Sequence, residues 1–184
     1  MRELDYELLM NLSRRIHETA CRKGWHDVPK SKKKWMMLVV TEIAEAVEAD
    51  RKGLYGLTDE YKSARCRIKD EEEWRMYYHD NIKPCREAEM ADVVIRLLDF
   101  AYETWGSDIR YDYHYLDTPT NDDFSDNAWD LAHDILDGEL MNIATAIFYV
   151  YQWAHKLGFD IDWHIEQKML YNEGRAYHHG GKAY

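Results

Sequence analysis

The chain has 184 residues, with 24 Lys and Arg against 35 Asp and Glu, a formal charge of −11 at neutral pH. That length suits a single domain with its own hydrophobic core, and 46% hydrophobic residues exclude wholesale disorder. The acidic balance argues against a nucleic-acid polymer as partner, because a phosphate backbone needs a basic face.

In chain order, residues 4–23 carry Leu8, Leu9, Leu12, Ile16 and Ala20 at helical spacing and stop at Gly24. A second helix is expected from Ser31, after Pro29, to the glycine stop at Gly53. Residues 59–83 are densely charged and read as partly helical and largely solvated. A third apolar helix is expected to open at Pro84, a residue suited to a first helical turn, and to run to Gly106. Residues 107–127 show no clear period and read as an irregular insertion, a loop or lid. Helical spacing returns over 128–137, 139–156 and 162–173, and residues 174–184 form a flexible tail. Strand alternation is scarce, so the expected fold is all-α, an antiparallel bundle.

The three cysteines, Cys21, Cys66 and Cys85, form no CxxC and no tight Cys/His spacing. Reduced, structural thiols in a cytoplasmic protein are therefore expected. No leader pattern opens the chain, and no apolar run approaches the roughly 20 residues of a membrane helix, so no membrane partner is expected.

The acids inside the two most apolar helices stand out. At about 100° per residue, Glu42 and Glu45 share a face with Trp35, Leu38, Ala46 and Ala49. On the later helix Glu89 and Asp92 share a face with Cys85, Val93 and Phe100, with Asp99 at its edge. Four carboxylates on facing apolar stripes repel unless a positive charge sits between them, and hard oxygen donors suit Mg²⁺ or Mn²⁺. Other acid pairs at the same spacing, such as Asp70/Glu73 and Asp134/Asp137, lack the apolar surroundings and read as solvated surface.

TEIAEAVEADRKG followed by EAEMADVVIRLLDFA resembles the ExxE…ExxD signature of MazG-type all-α nucleotide pyrophosphohydrolases. KMLYNEGRAYHHGGK resembles the Lys-x-x-x-Asn-x-x-Arg…His-Gly-Gly-Lys ending of MazG-like and phage-type members. Together these stretches cover residues 31–53, 85–103 and 162–182. The chain departs from the pattern at Thr41, where a glutamate is usual, and in its long spacer between the two acid motifs. The resemblance implies a four-helix core, Mg²⁺ dependence, a homo-oligomer (dimer or tetramer), and cleavage of a nucleoside triphosphate to monophosphate and pyrophosphate. Carried over by position, the metal ligands are Glu42, Glu45, Glu89 and Asp92.

The reaction is then attack of water on the α-phosphorus. Glu45 is the candidate general base, and Lys168, Asn172, Arg175 and Lys182 are candidate phosphate binders. Arg96 is expected in an intrahelical ion pair with Asp92. Trp25 and Trp35 are candidates for stacking on a base, with Trp35 equally well placed as core. Glu42→Gln and Asp92→Asn are expected to abolish turnover while keeping the helical fold. Two other readings stand beside this one. His26-Asp27, His79-Asp80 and His133-Asp134 resemble the dipeptide of HD-type phosphohydrolases, and the aromatic content suits a non-catalytic helical interaction protein.

Overall fold

The computed structural model describes residues 6–56, 58–108, 119 and 121–177. Among them eight α-helices and no strand occur, so the fold is all-α. Helix α1 (Tyr6–Arg22) buries Leu9, Leu12, Ser13 and Ile16 on one stripe. The following turn reverses at Gly24, whose φ of 81° is a left-handed value that side chains disfavour. Helix α2 (Lys32–Arg51) starts where the Ser31 side chain accepts from the Lys34 N–H, and buries Trp35, Met36, Val39, Ile43 and Ala46.

Helix α5 (Arg86–Trp105) is the axis of the molecule and packs against α1, α2, α7 and α8. Its sequence explains this: Ala88, Ala91, Val94, Leu97, Leu98 and Ala101 are fully buried on a wide apolar face, with Glu89, Asp92, Arg96 and Asp99 along the other. Helix α6 (Phe124–Asp134) lies on α2 and α7 (Leu140–Leu157), and α8 (Ile161–Glu173) closes the bundle.

Two expectations are corrected. Helix α5 begins at Arg86, because a π turn at Tyr78–Ile82 precedes Pro84 and Cys85 is its extended N-cap. Residues 59–83 are partly helical and mostly exposed, as expected, yet they also carry a second core. Helices α3 (Thr58–Arg67) and α4 (Glu71–Tyr77) and the π turn bury Tyr61, Ala64, Trp74, Tyr78 and Ile82 against Cys85, Ala88 and Tyr171. Few side chains carry that second core, and the surrounding charge hides their period. Helix α6 starts four residues earlier than expected because Asp123 caps it, accepting from Ser125 and Asp126 N–H. The lid reading of residues 109–118, and Lys182 with the rest of 178–184, lie outside the described residues. Among those described, no helix is long and apolar enough to cross a membrane.

Candidate functional site

A cavity of about 220 Å³ opens between α1, α2, α5 and α8. At roughly 30 Å³ per liquid water, that is space for a polyatomic ligand rather than one bare ion. Seven of the eight residues singled out from the sequence line it: Glu42 and Glu45 from α2, Glu89 and Asp92 from α5, Lys168 and Asn172 from α8, and Arg175 just beyond. Helix α5 lies between α2 and α8, which is why motifs separated by more than a hundred residues converge.

Within the cavity the residues are not equivalent. Glu42, Glu89 and Asp92 each offer a carboxylate oxygen, and these atoms lie within 4.8 Å of one another. Glu45 stands apart from that group. It is exposed at the cavity wall, since its place one turn on from Glu42 rotates it towards the rim. The expectation that both glutamates of α2 point inward is corrected accordingly. Lys168 is 2% exposed, and its ammonium is ion-paired with Asp92. Arg96 reaches across to α2, with its Nε donating to Glu42 Oε1 at 3.0 Å, and the intrahelical pair with Asp92 is not formed. A flat guanidinium on the inner face of α5 finds the buried carboxylate opposite before the one a turn back.

Two internal cations therefore answer two of the three clustered acids, and no hydrogen bond or ion pair reaches the Glu89 carboxylate among the described residues. Burial pushes the Glu89 carboxyl up to about 8; the Lys168 ammonium pulls it down, and Asp92, Glu42 and Glu45 add to the rise. Glu42 is raised as well, by burial and by Asp92. For Lys168, burial works downward but Asp92, Tyr78 and Glu89 outweigh it and hold the ammonium above its ordinary range. Asp92→Asn and Glu42→Gln would each leave a cation without its partner, Lys168 deeply buried and Arg96 part-exposed, so the fold of both variants depends on how those cations are re-paired.

The opposite wall is cationic. Lys23 and Lys83 line the cavity, unremarked in the sequence because neither sits in an acid motif; Lys83 is delivered by the π turn. Arg175 stacks its guanidinium on the Tyr171 ring at 5.7 Å and makes no ion pair among the described residues. The Asn172 Oδ1 is buried without a hydrogen-bond partner. Trp25 lines the cavity, whereas Trp35 is core at 3% exposure.

The His-Asp dipeptides fall apart as a group. His79 and His133 are exposed, and among the described residues their ion pairs are with their own neighbours, Asp80 and Asp134. His26 is different: with His17 it holds the buried Asp99, at the far end of the same wall. No family model, no curated protein and no solved structure matches this chain.

Proposed function

We propose that this chain is a Mg²⁺-dependent nucleoside triphosphate pyrophosphohydrolase, releasing the nucleoside monophosphate and pyrophosphate. One observation carries the reading: three carboxylate oxygens within 4.8 Å of one another share a cavity with Lys23, Lys83 and Arg175. An all-oxygen donor set with an uncompensated Glu89 fits a hard divalent cation. Glu42, Glu89 and Asp92 would hold it. Bound there, Mg²⁺ would polarise a phosphate oxygen and acidify a water.

The chain's own residues do the rest. Glu45, exposed on the cavity wall, accepts the proton from the attacking water as its oxygen bonds to the α-phosphorus and the bond to the bridging oxygen breaks. Lys23, Lys83 and Arg175 take the charge of the departing pyrophosphate. Asn172 Oδ1, buried and unbonded, accepts from a donor on the substrate. Lys168 acts as a positioning residue that fixes Asp92 rather than as a free phosphate clamp.

The three free cysteines support placing the protein in the reducing cytoplasm. Trp129, 72% exposed on α6, supports a homo-oligomer as an interface anchor. A non-catalytic nucleotide binder is the second reading, favoured by the internal neutralisation of Asp92 and Glu42.

A panel of canonical and modified (d)NTPs with Mg²⁺, resolved by chromatography, tests the proposal. Monophosphate and pyrophosphate, abolished by EDTA and by Glu45→Gln, are the expected products. Orthophosphate release, or nucleotide binding without turnover, overturns it.

A further inference from the structure

The geometry points to a second metal centre in this protein, a four-coordinate zinc-type site built from His17, Cys21, His26 and Glu103. It lies at the C-terminal end of α5, and it does not depend on the function proposed above. His17 and Cys21 are one turn apart on α1, His26 follows in the turn after Gly24, and Glu103 faces them from α5.

Three donor spacings match a tetrahedral centre, and Glu103, 43% exposed, has to close on the grouped His17, Cys21 and His26 to complete it. A metal with nitrogen and oxygen donors near 2.0–2.1 Å and a thiolate near 2.3 Å separates its ligand atoms by roughly 3.3–3.8 Å. Cys21 Sγ lies 3.4 Å from His17 Nε2. Glu103 Oε2 lies 3.7 Å from the same nitrogen and 3.2 Å from His26 Nδ1. Single ligand atoms of His17, Cys21 and His26 all fall within 4.8 Å of one another.

The remaining imidazole nitrogens are already engaged as such a centre requires. Asp99, 4% exposed, accepts from His17 Nδ1 at 3.0 Å and from His26 Nε2 at 3.0 and 3.2 Å. A carboxylate gripping the outer nitrogen of each histidine sets the tautomer and aims the inner nitrogen's lone pair at the metal. Here one buried aspartate does this for both rings. With neutral rings, the Cys21 thiol can donate to His17 Nε2, but Glu103 Oε2 faces the lone pair of His26 Nδ1. That arrangement calls for extra protons or for one cation, and a divalent ion serves all four donors at once. On binding, the Cys21 thiol proton leaves to solvent and the thiolate takes its place on the metal.

Softness separates this site from the carboxylate cluster. One thiolate and two imidazoles select Zn²⁺ or Co²⁺ over Mg²⁺, while Glu42, Glu89 and Asp92 select the harder ion. All four ligands come from the protein, the mark of a structural zinc centre. Its role is to staple α1 and the 23–30 turn to α5, holding Lys23 and Trp25 on the cavity wall.

Cobalt is the probe, added to the full chain carrying His178→Ala and His179→Ala so that tail imidazoles cannot contribute. One Co²⁺ per chain is expected, with the intense visible bands of tetrahedral cobalt and a near-ultraviolet thiolate-to-cobalt band, both lost on adding Zn²⁺. Cys21→Ser should remove the thiolate band. Asp99→Asn should weaken binding by about 10–100-fold while keeping the tetrahedral spectrum. Should Asp99→Asn fail to fold, the exposed Glu103→Gln gives the same weakening without touching the core. A pale six-coordinate spectrum indifferent to Cys21→Ser overturns the site. So does a signal that vanishes in Glu89→Gln instead, since the ion would then occupy the carboxylate cluster. Pyrophosphate release is not read in this experiment, so either proposal can fail alone.

Discussion

The two ends of α5 solve the same problem in different ways. Near its start, Glu89 and Asp92 are buried beside Glu42, and the answering charges are Lys168 and Arg96, permanent cations on long side chains. Near its end, Asp99 is buried more deeply, and the answering groups are two imidazoles, His17 and His26. Burial alone would raise the Asp99 carboxyl, yet hydrogen bonds from His17 and His26 hold it below its ordinary value. At the first end burial wins for Glu89, which no donor reaches. Burial makes an acid reactive only where its partners run out, and on this helix they run out at Glu89.

The largest effect should come from breaking the first end. Asp92→Asn strands the Lys168 ammonium, 3% exposed, and should cost about 3–5 kcal/mol in urea unfolding. Pairing it with Lys168→Met should recover much of that loss. If the single change is neutral, the ion pair does not hold the two helices together.

Glu89→Gln should act in the opposite direction. The folded carboxyl titrates at about 8 against an ordinary 4.5, so its contribution is intact below pH 4.5 and is lost as pH rises through 8. The substitution should therefore leave stability unchanged at pH 4 and raise it, on the order of 3 kcal/mol, at pH 9 without divalent cations. Added Mg²⁺ should raise the Tm of the parent protein and leave that of the variant unchanged. A Tm that Mg²⁺ lifts equally in both proteins removes Glu89 from the metal site.

A pH effect outside both ends has to be separated from these. His164 is fully buried between Phe159 and Trp163, facing Thr58 on α3, with Asp160 and Lys62 as the charges nearby. Burial lowers it to about 4, and the Lys62 ammonium adds to that against the pull of Asp160. Its contribution is therefore complete above pH 6.5 and is lost as pH falls through 4. The expected loss is about 2 kcal/mol by pH 4, and His164→Gln should flatten it.

The smallest effect tests how α1 is held at the imidazole end. The Ser13 hydroxyl, fully buried, donates to the Leu98 carbonyl at 2.7 Å, one residue before Asp99. Ser13→Ala should cost about 1 kcal/mol. A much larger loss would mean that this hydrogen bond, and not the histidines, fixes the helix.

The all-α fold and the three clustered acids were legible in the amino-acid sequence, because both follow from short-range periodicity. Acids three residues apart on an apolar stripe must share a side of their helix, and Glu89 and Asp92 do so, with Glu42 meeting them from α2. Glu45 shows the limit of that reasoning: a 60° rotation is enough to move a side chain from a buried face to the rim. His17, Cys21 and His26 stand only four and five residues apart in the sequence, but it takes one turn of α1 and the reversal at Gly24 to bring the three together. The aromatic core of α3 and α4 was hidden by the charged residues around it.

What the sequence determined by itself is local: which stretches coil, where Ser31 and Gly24 start or stop them, and which stripes are apolar. Only the tertiary structure decided charge partnership. Lys168 meets Asp92 and Arg96 meets Glu42 because α5 lies between α2 and α8, and a buried charge accepts whichever partner the packing delivers. Spacing along a helix cannot name that partner, since the cost of burying a charge is settled across helices and not along one.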